Sequence, residues 1–163
     1  MAQNLTLILF LPLLGGLILT LLPKEKPNLI RFWANLVLGA NALWALSLLG
    51  NLDPSAEWSF VQRVSWIPAV GCDFYLGVDG YSLLLAAMSA SLGFLASLGS
   101  WNAIEKRRKE FYVCLLLLQT CVLGVFFALD ALLFFMFFEA ALLPMYFLIA
   151  IWGGPERHYA AMK

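Results

Sequence analysis

Long apolar runs separated by short polar breaks make up most of this chain, and they predict helices. Five runs stand out, at about 5–22, 30–50, 80–100, 111–129 and 131–152. Each approaches the ~20 apolar residues that carry a helix across a ~30 Å hydrocarbon layer at ~1.5 Å per residue. Pro12 and Gly15-Gly16 lie inside the first run, which is still read as one helix because such residues are tolerated in membrane spans. Asp79, ahead of Gly80-Tyr81-Ser82, is typed as the N-cap of the third helix. The fourth and fifth runs meet at Asp130 with almost no loop, which predicts an antiparallel helical hairpin. Gly153-Gly154 reads as a helix terminator, since no strand precedes it to make a phosphate loop. The connection at 51–78 is the single long one. Its Trp58, Phe60 and Trp66 suit a segment lying against headgroups, and Trp58–Trp66 is too short and irregular to assign as strand or helix.

Composition agrees with a membrane location. The chain is 63% hydrophobic and 12% charged, against roughly 45–50% and 25% in soluble domains. Its net charge is zero, but the charges are sorted along the chain. Lys24, Lys26 and Arg31 lie between the first two spans, Lys106 to Lys109 between the third and fourth, and Arg157 and Lys163 after the fifth. All of these fall on one side, and Arg63 falls on the other. The positive-inside rule therefore predicts an outside N-terminus and a cytoplasmic C-terminus. The first run has no basic region ahead of it and no small-residue cleavage site, so a retained span is expected, not a signal peptide. Cys72 reads as alone in a loop, and Cys114 and Cys121 as small hydrophobes on a helix. With no Cys-x-x-Cys and one histidine, a zinc, haem or iron–sulfur site in this chain is disfavoured, and no cofactor is expected. The expected surroundings are the lipid bilayer and other membrane proteins, with no nucleic-acid partner.

Glu139 carries the candidate chemistry. It is a lone carboxylate in the run Ala131–Trp152, nine residues past Asp130, and so about 13 Å deep. An ionised group there costs on the order of 2.5–3.5 kcal/mol by insertion scales, so such acids belong by default to ion or proton movement. Its helical neighbours Leu132, Phe135, Met136, Leu142, Leu143 and Tyr146 include no counter-ion. Pro144 lacks an N–H and frees the carbonyl of Ala140, a defect able to hold water or a protonated carboxyl. Ala140 and Ala141 would let another helix approach closely. Every lysine and arginine lies in a loop or at a span end, so a basic partner has to come from elsewhere. The plainer alternative is a protonated acid that merely holds two helices together. Asp79 and Asp130 could accept protons at the surface, but capping and turn roles come first. His158 reads as a solvated loop residue that titrates in the range of proton uptake. The basic cluster could bind anionic lipid or a soluble partner, though orientation alone explains it.

Several motifs resemble a known family. Phe134-Phe-Met-Phe-Phe-Glu139, Leu143-Pro-Met-Tyr-Phe-Leu-Ile-Ala-Ile-Trp-Gly-Gly154 and Tyr159-Ala-Ala-Met-Lys163 resemble the fifth-helix region of the chain M (subunit 4) family of NADH-quinone oxidoreductase, respiratory complex I. Ser65-Trp-Ile-Pro68 and Gly77-Val-Asp-Gly-Tyr-Ser-Leu-Leu84 resemble its outer segment. Phe138 stands where that family usually has tryptophan, Tyr81 where leucine is common and Met162 where threonine is common. The resemblance implies an all-α membrane protein with an antiporter-like, proton-conducting fold in the bacterial inner membrane. It implies helices 1–3 with an outer loop 51–79 in residues 1–110, and the start of the conducting domain in 111–163. The family continues with further helices, so the chain resembles an N-terminal fragment that would not pump alone. Glu139 matches the family's key glutamate, which is implied to pair with a lysine on a later broken helix. The expected partners are neighbouring membrane subunits, and quinone reduction elsewhere would drive the protons. A subunit of a multi-subunit cation/proton antiporter and a non-transporting membrane scaffold are the alternatives.

Overall fold

The structure, a computed structural model, describes residues 5–52 and 57–162. Its five long helices are α1 (Leu5–Leu21), α2 (Pro27–Leu49), α3 (Gly80–Ala103), α4 (Arg108–Phe127) and α5 (Ala131–Trp152). The boundaries lie within about three residues of those the apolar runs predict, as expected when hydrocarbon thickness sets helix length. Helices α2 to α5 are long and apolar enough to cross a membrane, whereas α1 has 17 residues. The sixth helix, α6 (Arg157–Met162), is short. It starts ahead of the Ala-Ala-Met-Lys motif.

Helix α4 sits centrally, against α1, α3 and α5, while α2 lies against α1 and α3. Small residues allow the closest approaches. Ala42 and Ala45 of α2 meet Ala87 and Ala90 of α3 in a buried cluster, where dispersion between close backbones replaces a hydrophobic drive that lipid does not supply. At the α4–α5 contact, the ring of Phe137 fills the space where a Cβ on Gly124 would stand. A close approach of these two helices is therefore made at Gly124.

Pro12 does not break α1, because α2 supplies what the proline removes. Without an N–H at Pro12, the carbonyl four residues earlier, Ile8, loses its helical donor. The buried side chain of Asn41 donates its Nδ2 to that oxygen at 2.8 Å. Two turns further along α1, Trp33 Nε1 donates to the carbonyl of Gly15 at 3.0 Å. In hydrocarbon a backbone oxygen has no water to turn to, so Asn41 completes the first helix where the proline leaves it open.

Residues 59–78 of the long connection take regular structure, where the sequence of Trp58–Trp66 assigns neither strand nor helix. They form an antiparallel hairpin of β1 (Ser59–Ile67) and β2 (Cys72–Val78), joined by a 3-10 turn at Pro68–Val70. Gly71 closes that turn at φ 67°, a left-handed conformation that glycine takes without strain. The hairpin docks on the helix ends: Leu76 and Val78 are fully buried, and Leu129 N–H donates to the carbonyl of Tyr75 at 2.9 Å. Gln62 Oε1 accepts from Thr6 Oγ1 at 2.6 Å, tying β1 to the start of α1. Cys72 is consequently a buried strand residue and not a loop residue. A core of Leu9, Leu48, Leu76, Leu123 and Phe127 lies under the hairpin, and a second of Leu19, Ile30, Leu38 and Leu116 lies toward the basic end.

Asn41→Leu is expected to destabilise the folded protein by about 1–2 kcal/mol, because it orphans the Ile8 carbonyl. In a Pro12→Ala background the restored helical N–H should make the same substitution cost less. Equilibrium unfolding in detergent measures the cycle, and equal costs in both backgrounds would show that the bond does not compensate for the proline.

Candidate functional site

Helix α5 is the least covered span. Only 11% of its most apolar window is buried, against 28–50% for the other three span-length helices. Leu133 and Pro144 are its buried residues. The reason is position: within the described bundle α5 packs on α4 and touches the hairpin, so most of its circumference faces away.

Glu139 lies on that outward side. Its side chain is exposed, as are Leu132, Phe135, Met136, Leu142, Leu143 and Tyr146 on the same face. No hydrogen bond or ion pair reaches its carboxylate among the described residues; the ion pairs found there are Lys24–Glu110 and Arg63–Asp73. The structure therefore does not bring the expected site residues together. Pro144 is buried on the inner side. Ala140 turns toward a groove of about 910 Å³ between α1, α5 and β1, lined among others by Phe10, Trp66 and Phe137. An acid in this position is chemically incomplete, since acyl chains offer it no donor. It can carry or exchange a proton only with a group contributed from outside these residues.

Asp79 and Asp130 are caps. Asp79 forms a capping box, accepting from Ser82 N–H at 2.7 Å while Ser82 Oγ accepts from the Asp79 N–H at 3.0 Å. The Ser82 hydroxyl, followed by its N–H, holds the Asp79 carboxyl below its ordinary pKa. Asp130 accepts from Leu132 N–H at 2.9 Å and Leu133 N–H at 3.0 Å. It also accepts from Asp73 N–H at 3.4 Å and lies 3.7 Å from the Cys72 thiol, both on β2. Hydrogen bonding, chiefly from Leu133 N–H, lowers its pKa. Burial, then the nearby Asp130 charge, pushes the Cys72 thiol up. Asp130 is thus more than a turn residue, because one carboxylate caps α5 and ties the hairpin to the α4–α5 corner. His158 falls in the first turn of α6 and not in a loop, and its side chain lies outside the described residues.

The basic end has structural work that sequence alone did not reveal. Lys109 Nζ donates to the carbonyls of Thr20 and Leu22 at 2.5 and 2.7 Å, satisfying the C-terminal end of α1. Arg157 Nη1 donates to Ile151 at the end of α5, and Trp152 Nε1 donates to Lys106 O. Helices α1, α3 and α5 all end on this side, where cations meet the negative ends of the helix dipoles.

Comparison with known proteins is consistent with this geometry. A family model described as NADH:quinone oxidoreductase/Mrp antiporter, TM, matches residues 128–163, the segment that contains Glu139. The chain is 35% identical over 161 residues to NADH-quinone oxidoreductase subunit M of Rickettsia conorii, covering 95% of this chain and 33% of that protein. It is 40% identical over 162 residues to NAD(P)H-quinone oxidoreductase chain 4 1 of Synechococcus elongatus, covering 98% and 30%. Among solved structures it matches a chain of respiratory complex I from Thermus thermophilus with bound NADH, at TM-score 0.80 and 31% identity over 96% of this chain and 31% of that one. The fold and these matches define a multi-pass α-helical membrane protein that is similar over residues 128–163 to the antiporter-like family. Within that class, the chain is similar through nearly its whole length to NADH-quinone oxidoreductase subunit M, or chain 4. This agrees with the resemblance carried by its motifs. The chain spans about one third of the length of these curated relatives.

The caps predict a pH response. Asp79 and Asp130 have folded pKa values below the ordinary 3.8, so their contribution is complete above that value and is lost as pH falls below it. Hydrogen exchange over 59–78 should lose protection in this acid range, and Asp130→Asn should remove part of the response while leaving near-normal activity. Its amide oxygen can still accept from Leu132 and Leu133. An unchanged acid profile in the Asn variant would show that Asp130 does not tie the hairpin down.

Proposed function

We propose that this chain is part of a membrane subunit of a proton-pumping NADH-quinone oxidoreductase, in which Glu139 carries protons. The observation that supports this most is the carboxylate of Glu139, set deep in an apolar span and facing away from its own bundle with no partner among the described residues. Holding an acid there is costly unless a group outside these residues receives it. The subunit M and chain 4 names of the relatives, and the complex I match, supply the wider setting. In this reading α4 and α5 begin the conducting domain at 111–163, and residues 1–110 carry α1 to α3 with the outer hairpin. Electron carriers and quinone lie in other subunits, and proton transfer is this chain's share of the reaction. The basic end faces the cytoplasm of a bacterial inner membrane and the hairpin faces outward. Neighbouring membrane subunits and the rest of the polypeptide cover α5.

Glu139→Gln in the complete, assembled complex should abolish or strongly reduce proton pumping without loss of assembly. A normal proton-to-electron ratio in that variant would refute the role. A cation/proton antiporter subunit is the second reading, because the matched family model covers both kinds of protein. The same substitution would then stop ion exchange in a protein that has no redox partners.

A further inference from the structure

Four of the buried polar groups of α2, α3 and α4 lie toward the basic end of those helices. They are Arg31 Nε, Asn35 Oδ1, Ser97 Oγ and the Tyr112 hydroxyl, and none has a hydrogen-bonding partner among the described residues. Ser97 and Tyr112 are completely buried, and Asn35 is 8% exposed.

Helix register brings Arg31, Asn35 and Ser97 onto one stretch of the α2–α3 contact. Helix α2 runs antiparallel to α3, with the Arg31 guanidinium 5.8 Å from the Trp101 ring and Gly39 against Phe94. Midway between those two contacts, Asn35 stands level with Ser97. Asn35 is one turn from Arg31 and donates its Nδ2 to the Arg31 carbonyl at 2.9 Å, which fixes Oδ1 as the free end of the amide. Tyr112 comes in from α4 and belongs to the buried cluster that includes Ile30 and Ala34 of α2. Arg31 also reaches outward, since its Nη1 contacts Asn28 Oδ1 at 3.5 Å in an exposed setting. One side chain thus links the loop surface to groups roughly 6–12 Å inside the ends of their helices.

The mix of donors and acceptors restricts what can bind. Arg31 Nε only donates, Asn35 Oδ1 only accepts, and the two hydroxyls do both. A metal cation would be repelled by Arg31, and an anion would face the Asn35 oxygen. A small neutral molecule that donates twice and accepts twice meets all four groups. We propose that Arg31, Asn35, Ser97 and Tyr112 bind ordered water, forming a hydrated inlet that enters the α2–α3–α4 packing from the basic face and is separate from Glu139. Water there completes hydrogen bonds that the three helices leave open.

X-ray radiolytic labelling of the intact protein in native membranes tests this, because bound water activated in place oxidises the side chains it touches. Phe127 is the matched control, an aromatic ring as fully buried as Tyr112 that carries no polar atom. Tyr112 should label roughly tenfold faster than Phe127 and take up the heavy isotope from bulk oxygen-18 water. A Tyr112 as unreactive as Phe127 would overturn the proposal. Asn35→Leu should cut Tyr112 labelling severalfold while leaving the exposed Tyr81 unchanged, and Ser97→Ala offers the gentler second variant. Undiminished Tyr112 labelling in both folded variants would show that these residues hold no water with it.

Discussion

Within hydrocarbon, a polar group must be matched by the protein itself, and this constraint organises the whole chain. It explains why the backbone is helical wherever the sequence is apolar. It also explains why the exceptions are answered so specifically. Pro12 leaves one carbonyl open and Asn41 reaches across from α2 to fill it. The end of α1 is met by Lys109 and the start of α5 by Asp130. Glu139 remains the conspicuous acid that nothing within the described residues answers. Its isolation follows from the fold, because α5 stands at the edge of the bundle and turns its acidic face outward.

The two ends of the bundle are built differently for a common purpose. At the basic end, Lys109 and Arg157 donate to carbonyls at the ends of α1 and α5, and Trp152 donates to the carbonyl of Lys106 between α3 and α4. At the other end the hairpin closes the bundle, burying Leu76 and Val78 over the tips of α1, α3 and α4. Asp130 joins these elements, since the same carboxylate caps α5 and contacts β2. Between the ends, α4 and α5 are held in close contact by Gly124 and Phe137. A rigid helix pair of this kind fixes which way Glu139 points.

Much of this was legible in the sequence. The five spans follow from apolar length, and Asp79 and Asp130 are capping residues standing where helices begin. Glu139 is visible as a charge out of place, and the charge sorting distinguishes the two ends. The hairpin was not legible. Its register shifts between Ser59 and Gln62 and again between Ser65 and Ile67, so the alternation that marks a strand is broken. Its burial comes from docking on helix ends, which a local pattern does not contain. Asn41 was missed as well, although Pro12 had already announced an open carbonyl in search of a donor. The face of α5 that turns outward was hidden because that helix is apolar all round.

The direction in which Glu139 points is tested most directly by moving the carboxylate. Proton-to-electron stoichiometry would be measured in the complete, assembled complex carrying Glu139→Gln together with a new glutamate. Leu143→Glu places the acid one turn along the same outward face, and Phe137→Glu places it on the inner side against Gly124. Partial recovery of pumping from Leu143→Glu and none from Phe137→Glu is the expected result. Equal recovery from both, or recovery from Phe137→Glu alone, would contradict a proton partner lying outside the bundle.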